Sequence, residues 1–212
     1  MTAQEIYIFR IQRNERHESG RVKSRWQEYR VEAEPTTTVL TALNDIRDHQ
    51  DGTLTFRQSC RSAICGSCAM RISGRTRLAC KTHVSAVAKP QQDPSKPKLV
   101  EVSPQLNQPV LKDLVVDINP FFKRVHQIVP YLQGGDEAQQ KTDKGSYDQV
   151  NHVTQCIMCG SCYSDCTMAE VNDRYLGPAS LAKAFRFVSD PREGKKSARL
   201  EDLTEPDGMW SC

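Results

Sequence analysis

The chain has 212 residues, enough for one large domain or two of about a hundred residues each. Its 29 Lys and Arg against 26 Asp and Glu leave a net charge of only +3, evenly spread, which argues against a nucleic-acid binder. Residues 1–20 show no secretory signal pattern and no apolar run approaches a membrane span, so the nine cysteines are expected to be metal ligands of a cytoplasmic protein rather than disulfides.

The first elements are readable from their periodicity. Residues 5–12 alternate well enough for a strand, the polar stretch 13–24 around Gly20 reads as a long turn, and Trp26 to Ala33 gives a second strand with Tyr29, Val31 and Ala33 on one face. Thr37 or Thr38 can cap a helix whose core stripe is Val39, Leu43 and Ile46, ended by Asp51-Gly52. Leu54 to Phe56 is expected as a short strand leading into the first cysteines.

Cys60, Cys65, Cys68 and Cys80 are spaced C-x4-C-x2-C-x11-C. Plant-type ferredoxins open with this spacing to hold a 2Fe-2S cluster, in which each iron takes two soft thiolates and the bridging sulfides need nearby N–H donors. Small Ser62, Ala63, Gly66 and Ser67 let the backbone come close, and Gly66 can take positive φ. Two other chemistries are weighed against this. A thioredoxin-like pair at Cys65–Cys68 is crowded by Cys60 and lacks a surrounding βαβ pattern, and a structural zinc site would normally bring two C-x-x-C knuckles.

Beyond the loop, residues 69–73 and 75–78 form an expected hairpin around Gly74 that delivers Cys80, and Leu99 to Val102 forms a last short strand. The stretch 88–98, with three prolines, reads as an exposed loop without chemistry. A domain boundary is placed near 103–108, giving domains 1–104 and 105–212. After it, Val110, Leu111, Leu114, Val115 and Ile118 make a helical stripe that continues through Phe121, Phe122, Val125 and Ile128, with Pro120 expected to end or kink the helix. Gln133 to Ser146 reads as a loop. Gly177-Pro178 starts a helix that buries Ala179, Leu181, Ala182, Phe185 and Val188.

The second cysteine group, Cys156, Cys159, Cys162 and Cys166, is spaced C-x2-C-x2-C-x3-C. In bacterial ferredoxins the first three cysteines of such a run hold one cluster and the fourth reaches across to another. Cys212 is a further candidate ligand. His83 and His152 lie near the cysteines but form no Rieske-type pair, and are expected to be solvated or packed.

With these motifs in hand, the chain resembles the iron–sulfur subunit of succinate dehydrogenase and fumarate reductase over nearly its whole length. The resemblance rests on Phe56 to Arg61, Cys65 to Cys68, Leu78-Ala79-Cys80, Pro109 to Asp117, Pro130-Tyr131-Leu132, the second cysteine run, Gly177-Pro178-Ala179 and Arg186-Phe187. It implies an α+β protein: a β-grasp, plant-type ferredoxin domain followed by an all-α, bacterial-ferredoxin-like domain that is incomplete here. It also implies three clusters, a 2Fe-2S on Cys60, Cys65, Cys68 and Cys80, a 4Fe-4S on Cys156, Cys159 and Cys162, and a third of 3Fe-4S or 4Fe-4S type reached by Cys166 and Cys212. The implied partners are an FAD flavoprotein and a membrane anchor bearing a quinone, which hold the chain on the inner face of the membrane. A stand-alone soluble ferredoxin is the alternative.

Three departures from the family pattern qualify this. Thr167 stands where a proline usually follows the cysteine, and residues 168–172 lack the tryptophans that often border the quinone site. Both point to a branch with an unusual anchor, such as a cysteine-rich subunit. The sequence also stops at Cys212 with both later clusters short of thiolates, so the chain is expected to be a fragment.

Overall fold

A computed structural model describes residues 4–16, 20–134, 141–205 and 208–211. Two compact units emerge, Met1–Asp117 and Ile118–Cys212.

The first unit is built on a mixed sheet. Strand β1 (Glu5–Arg16) runs antiparallel to β2 (Val22–Ala33) along its whole length, from Glu5 opposite Ala33 to Arg16 opposite Val22. The strands thus reach further into the polar stretch than periodicity predicts, because ladder hydrogen bonds continue where side-chain alternation no longer reports burial. On its other edge β1 pairs in parallel with β5 (Lys98–Ser103), which pairs in turn with β3 (Ala69–Ile72) of the β3–β4 hairpin, β4 being Arg75–Leu78. Helix α1 (Val39–His49) covers one face. Its Val39, Leu40, Leu43 and Ile46 are buried with Tyr7, Phe9 and Ile11 of β1 and with Tyr29, Val31 and Ala33 of β2, the two-residue period meeting the helical stripe.

Thr38 caps α1 by accepting from the Thr41 N–H at 3.2 Å, while the N–H groups of Val39 and Leu40 donate to the carbonyls of Thr82 and Ala79. The orphan donors of the first turn are thereby used to fasten the segment that carries Cys80. A four-residue helix, α2 (Val84–Val87), follows. The stretch 88–98 is mostly exposed, as expected of its prolines.

Two expectations fail here. Leu54 to Phe56 is irregular rather than a strand. Residues 110–116 are not helical: β6 (Val110–Lys112) and β7 (Val115–Val116) pair with each other, and Lys112 lies opposite Glu15 of β1. The unit boundary therefore falls after Asp117 and not after residue 104. The apolar spacing that suggested a helix belongs to a hairpin too short for periodicity to identify. What decides its place is Asp113, 1% exposed, whose carboxylate takes both Nε and Nη2 of Arg13, at 2.9 and 3.2 Å. Leu114 adds its side chain to the first unit's core.

The second unit is helical. Helix α3 (Asn119–Gln127) begins at Pro120 instead of ending there, since proline at the first turn loses no hydrogen bond. It is followed by α4 (Lys144–Thr154), α5 (Ser161–Ser164), α6 (Thr167–Val171), α7 (Pro178–Val188) and α8 (Lys196–Thr204). Helix α4 starts inside the expected loop, capped by Asp143, which accepts from the Ser146 N–H at 3.0 Å. Phe121, Val125, Tyr163, Ala169, Tyr175 and Ala179 form one core; Ile128, Ala184, Phe187 and Leu203 form another. Helix α7 starts where Gly177-Pro178 predicts, but it buries Ala184 and Phe187 while Phe185 is 46% exposed, a shift of the stripe toward the α8 side. Arg199 of α8 pairs with Glu193 at 2.9 Å and donates to the carbonyls of Ile128 and Val129. No helix among the described residues is long and apolar enough to cross a membrane.

Candidate functional site

The first cysteine loop, between the irregular lead-in 54–59 and β3, is shaped by its backbone. Arg61 and Ala63 take φ of 56° and 58°, in the left-handed region that such residues occupy at a cost, and Gly66 takes 73°. Alternating the handedness turns successive N–H groups inward: those of Ser62, Ile64 and Cys65 point at the Cys60 sulfur, at 3.3, 3.4 and 3.3 Å. Such a concavity of amides favours negative charge, as a thiolate or a cluster sulfur would supply. Gly66 was foreseeable from its residue type; Arg61 and Ala63 were not.

The Ser67 hydroxyl contacts the Cys65 sulfur at 3.0 Å and holds that thiol down to about 6, with Cys60 contributing to the same effect. Burial pushes the Cys68 thiol up to about 11; a backbone hydrogen bond at Cys80 pulls it down, while the Cys80 side chain and Cys65 push it further up. Cys68 and Cys80 are brought together by the β3–β4 hairpin, where the Ala79 N–H donates to the Cys68 carbonyl at 3.1 Å. A two-iron cluster asks for two thiolates on each metal. Among the described residues, no three His, Cys, Asp or Glu side chains converge as metal ligands.

The lead-in is held from the side of α1. Asn44 and Gln58 exchange amide hydrogen bonds at 2.8 and 3.1 Å, and the Arg47 guanidinium lies 5.1 Å from the Phe56 ring centre. A groove of about 390 Å³, lined by Thr38, Thr41, Asn44, Arg47, Arg61 and Cys80 among others, opens beside the loop.

The second run repeats the backbone device. Met158 takes φ of 56° and Gly160 77°, Gly160 serving as the N-cap of α5. Desolvation of its sulfur pushes the Cys162 thiol up, and the charges of Cys156 and Cys159 act in the same direction, although the residue as a whole is exposed. Cys166 packs against the core of Phe121, Tyr163 and Ala169 at the N-cap of α6. Tyr163, one residue past Cys162, anchors the run. Its ring meets Phe121 edge-on at 5.8 Å, with Arg124 lying over it at 5.3 Å. Thr167 occupies the first helical position of α6, where a proline would fit equally well, so this departure leaves the backbone unchanged. Cys212 lies outside the described residues. Cys60, Cys65, Cys68, Cys80, Cys156, Cys159, Cys162 and Cys166 are all free of disulfides, and His83 and His152 are exposed.

A sheet domain presenting four cysteine sulfurs, one of them under a fan of amides, and a helical unit bearing a second cysteine run are the donor sets of an iron–sulfur electron-transfer protein. The family described as a 2Fe-2S iron-sulfur cluster binding domain matches residues 8–123. The fumarate reductase iron-sulfur subunit of Mycobacterium tuberculosis is 36% identical over 192 residues, covering 88% of this chain and 74% of the relative. That of Haemophilus influenzae is 33% identical over 199 residues, covering 87% and 74%. The fold is shared with a chain of the Mycobacterium smegmatis Sdh1 complex in the apo form, with a TM-score of 0.75 at 23% identity over 97% of this chain and 87% of that one. The chain belongs to the family of succinate dehydrogenase and fumarate reductase iron–sulfur subunits. Its role is that of an electron-transfer subunit, not of a stand-alone ferredoxin.

Proposed function

We propose that this chain relays electrons through three clusters in an enzyme that interconverts succinate and fumarate. Cys60, Cys65, Cys68 and Cys80 hold a 2Fe-2S cluster; Cys156, Cys159 and Cys162 supply three thiolates to a 4Fe-4S cluster. Cys166 and Cys212 belong to a third, of 3Fe-4S or 4Fe-4S type. The observation that carries this reading is the fan of three N–H donors on the Cys60 sulfur, together with the Ser67 hydroxyl on the Cys65 sulfur.

When bound, such clusters take up and release single electrons at potentials set by sulfur hydrogen bonds, charge and burial. The chain's own part is to fix their position. Amides of Ser62, Ile64 and Cys65 and the Ser67 hydroxyl stabilise negative sulfur, and Cys68, 3% exposed, closes the loop on the core side. The groove beside Cys80 leaves the other side open to a redox partner. The relatives are subunits of fumarate reductases, and the family resemblance implies an FAD flavoprotein as that partner and a membrane anchor with a quinone as the other, which would hold the chain peripherally on the inner face of the membrane. Thr167 and the tryptophan-free residues 168–172 favour a cysteine-rich anchor.

Replacing Cys65 with Ala should abolish the EPR signal of the reduced two-iron centre; a retained, unaltered signal would remove Cys65 from the ligand set. The C–H chemistry belongs to the flavoprotein, so the pure, flavin-free chain should give no dye-linked turnover with succinate. Measurable turnover would contradict the division of labour.

A further inference from the structure

The approach to the first cysteine loop lacks regular secondary structure, yet its backbone is pinned by the β6–β7 hairpin. The Asp113 carboxylate accepts from the Thr55 N–H at 2.9 Å, besides Arg13 and the Asn14 N–H at 3.2 Å. Leu114 donates its N–H to the Thr55 carbonyl at 3.2 Å, and Arg57 Nη1 donates to the Val116 carbonyl at 2.9 Å. Asp113 itself has little freedom. It sits at φ 46° between β6 and β7, its N–H donates to the Asn14 carbonyl at 2.8 Å, and its carbonyl accepts from Asn14 Nδ2 at 2.9 Å. One buried carboxylate thus ties β1, the β6–β7 turn and the lead-in to Cys60.

We propose that Asp113 is a positioning residue for the N-terminal cluster: by clamping Thr55 it fixes where the lead-in delivers Cys60. This rests on the assignment of the 2Fe-2S cluster to Cys60, Cys65, Cys68 and Cys80. The rest of the ion network gives an internal control. Asp51 also pairs with Arg13, at 2.6 Å, but its side chain contacts Thr53 and Tyr29 and makes no bond to the lead-in from Thr55 onward. A residue that only stabilised the fold would change melting temperature and leave the cluster alone. A positioning residue changes the geometry at the metals as well.

The test is carried out on the cluster-loaded protein. Asp113→Glu keeps the charge but displaces the carboxylate by one methylene, so a shift in potential reports geometry. Asp113→Asn keeps the shape and loses two of the acceptor lone-pair sites. Both should broaden the EPR line of the reduced two-iron centre, and Asp113→Glu should also shift its midpoint potential. Asp51→Asn should lower the melting temperature with a line shape matching the unmutated protein. Unaltered line shape and potential in Asp113→Glu overturn the proposal, as does equal broadening in Asp51→Asn. Absence of any two-iron signal from the unmutated protein would instead overturn the cluster assignment beneath it.

Discussion

The Tyr29 hydroxyl donates to Asp51 at 2.7 Å and accepts from Arg13 at 2.8 Å, inside a unit where Arg13 is only 5% exposed. Burial, then the bond to Asp51, pushes this phenol up to about 12, and burial with Glu5 pushes Tyr7 up to about 12 as well. Hydrogen bonds from Thr53 and Tyr29 hold the Asp51 carboxyl well below its ordinary range. Burial weighs against the Arg13 charge, but Asp113 and Tyr29 more than offset it and keep the guanidinium protonated. The signs follow from linkage. A phenol raised in the fold gives stability that is complete below its unfolded pKa near 10 and is lost between about 10 and 12. A depressed carboxyl gives stability that is present above about 4 and is lost as pH falls further. Tyr29→Phe should cost about 1.5–3 kcal/mol at neutral pH, the worth of a hydrogen bond to a charged group. It should also flatten part of the loss of stability above pH 10, as read by denaturant titration at several pH values. An unchanged alkaline slope would contradict the assignment. None of this network could be read from the chain, because Arg13 and Asp113 lie a hundred positions apart and neither residue type announces burial.

At the scale of elements, the strands and α1 were the most legible because their apolar periods match what they bury, whereas the cysteine spacings were read from the geometry that a cluster asks of its thiolates. The hairpin β6–β7 was misread: a few residues with apolar spacing fit a helix or two strands equally, and a carboxylate one hundred residues from its partner decides between them. The start of α7 was legible for a reason that also makes a prediction. Gly177 takes φ 85° and ψ 160°, a region nearly reserved for glycine, and a Cβ there would stand 2.8 Å from the Tyr163 ring. Gly177→Ala should therefore cost about 1–3 kcal/mol from backbone strain, before any ring displacement is added. Because Tyr163 neighbours Cys162, iron retention by the second cysteine run should fall along with the melting temperature. Gly20→Ala is the control, with φ 80° but open space around the added methyl. Equal loss of iron in both variants would show that the ring contact is irrelevant.

For the molecule as a whole, both units combine apolar cores with buried ion pairs. The first combines a continuous apolar core with a buried ion network, and both include residues beyond position 104: Leu114 in the core, Asp113 in the network. Cutting the chain after residue 104 removes the main partner of Arg13 and leaves Asp51 as its carboxylate. Removing one member of a buried pair costs about 3–5 kcal/mol, a large share of the roughly 5–15 kcal/mol that holds a domain together. The same cut frees Thr55 and Arg57, which lose the acceptors on Asp113 and Val116 just ahead of Cys60. A chain ending at Asp117 keeps all of these contacts. It should melt cooperatively and carry a two-iron EPR signal like that of the longer protein, whereas a chain ending at residue 104 should show little cooperative melting and little bound iron. Circular dichroism melts with iron and sulfide analysis on both chains check this. Equal melting temperatures and equal iron content would mean that the β6–β7 turn is a passenger on the first unit, and that its boundary lies where the polar stretch near residue 104 first suggested.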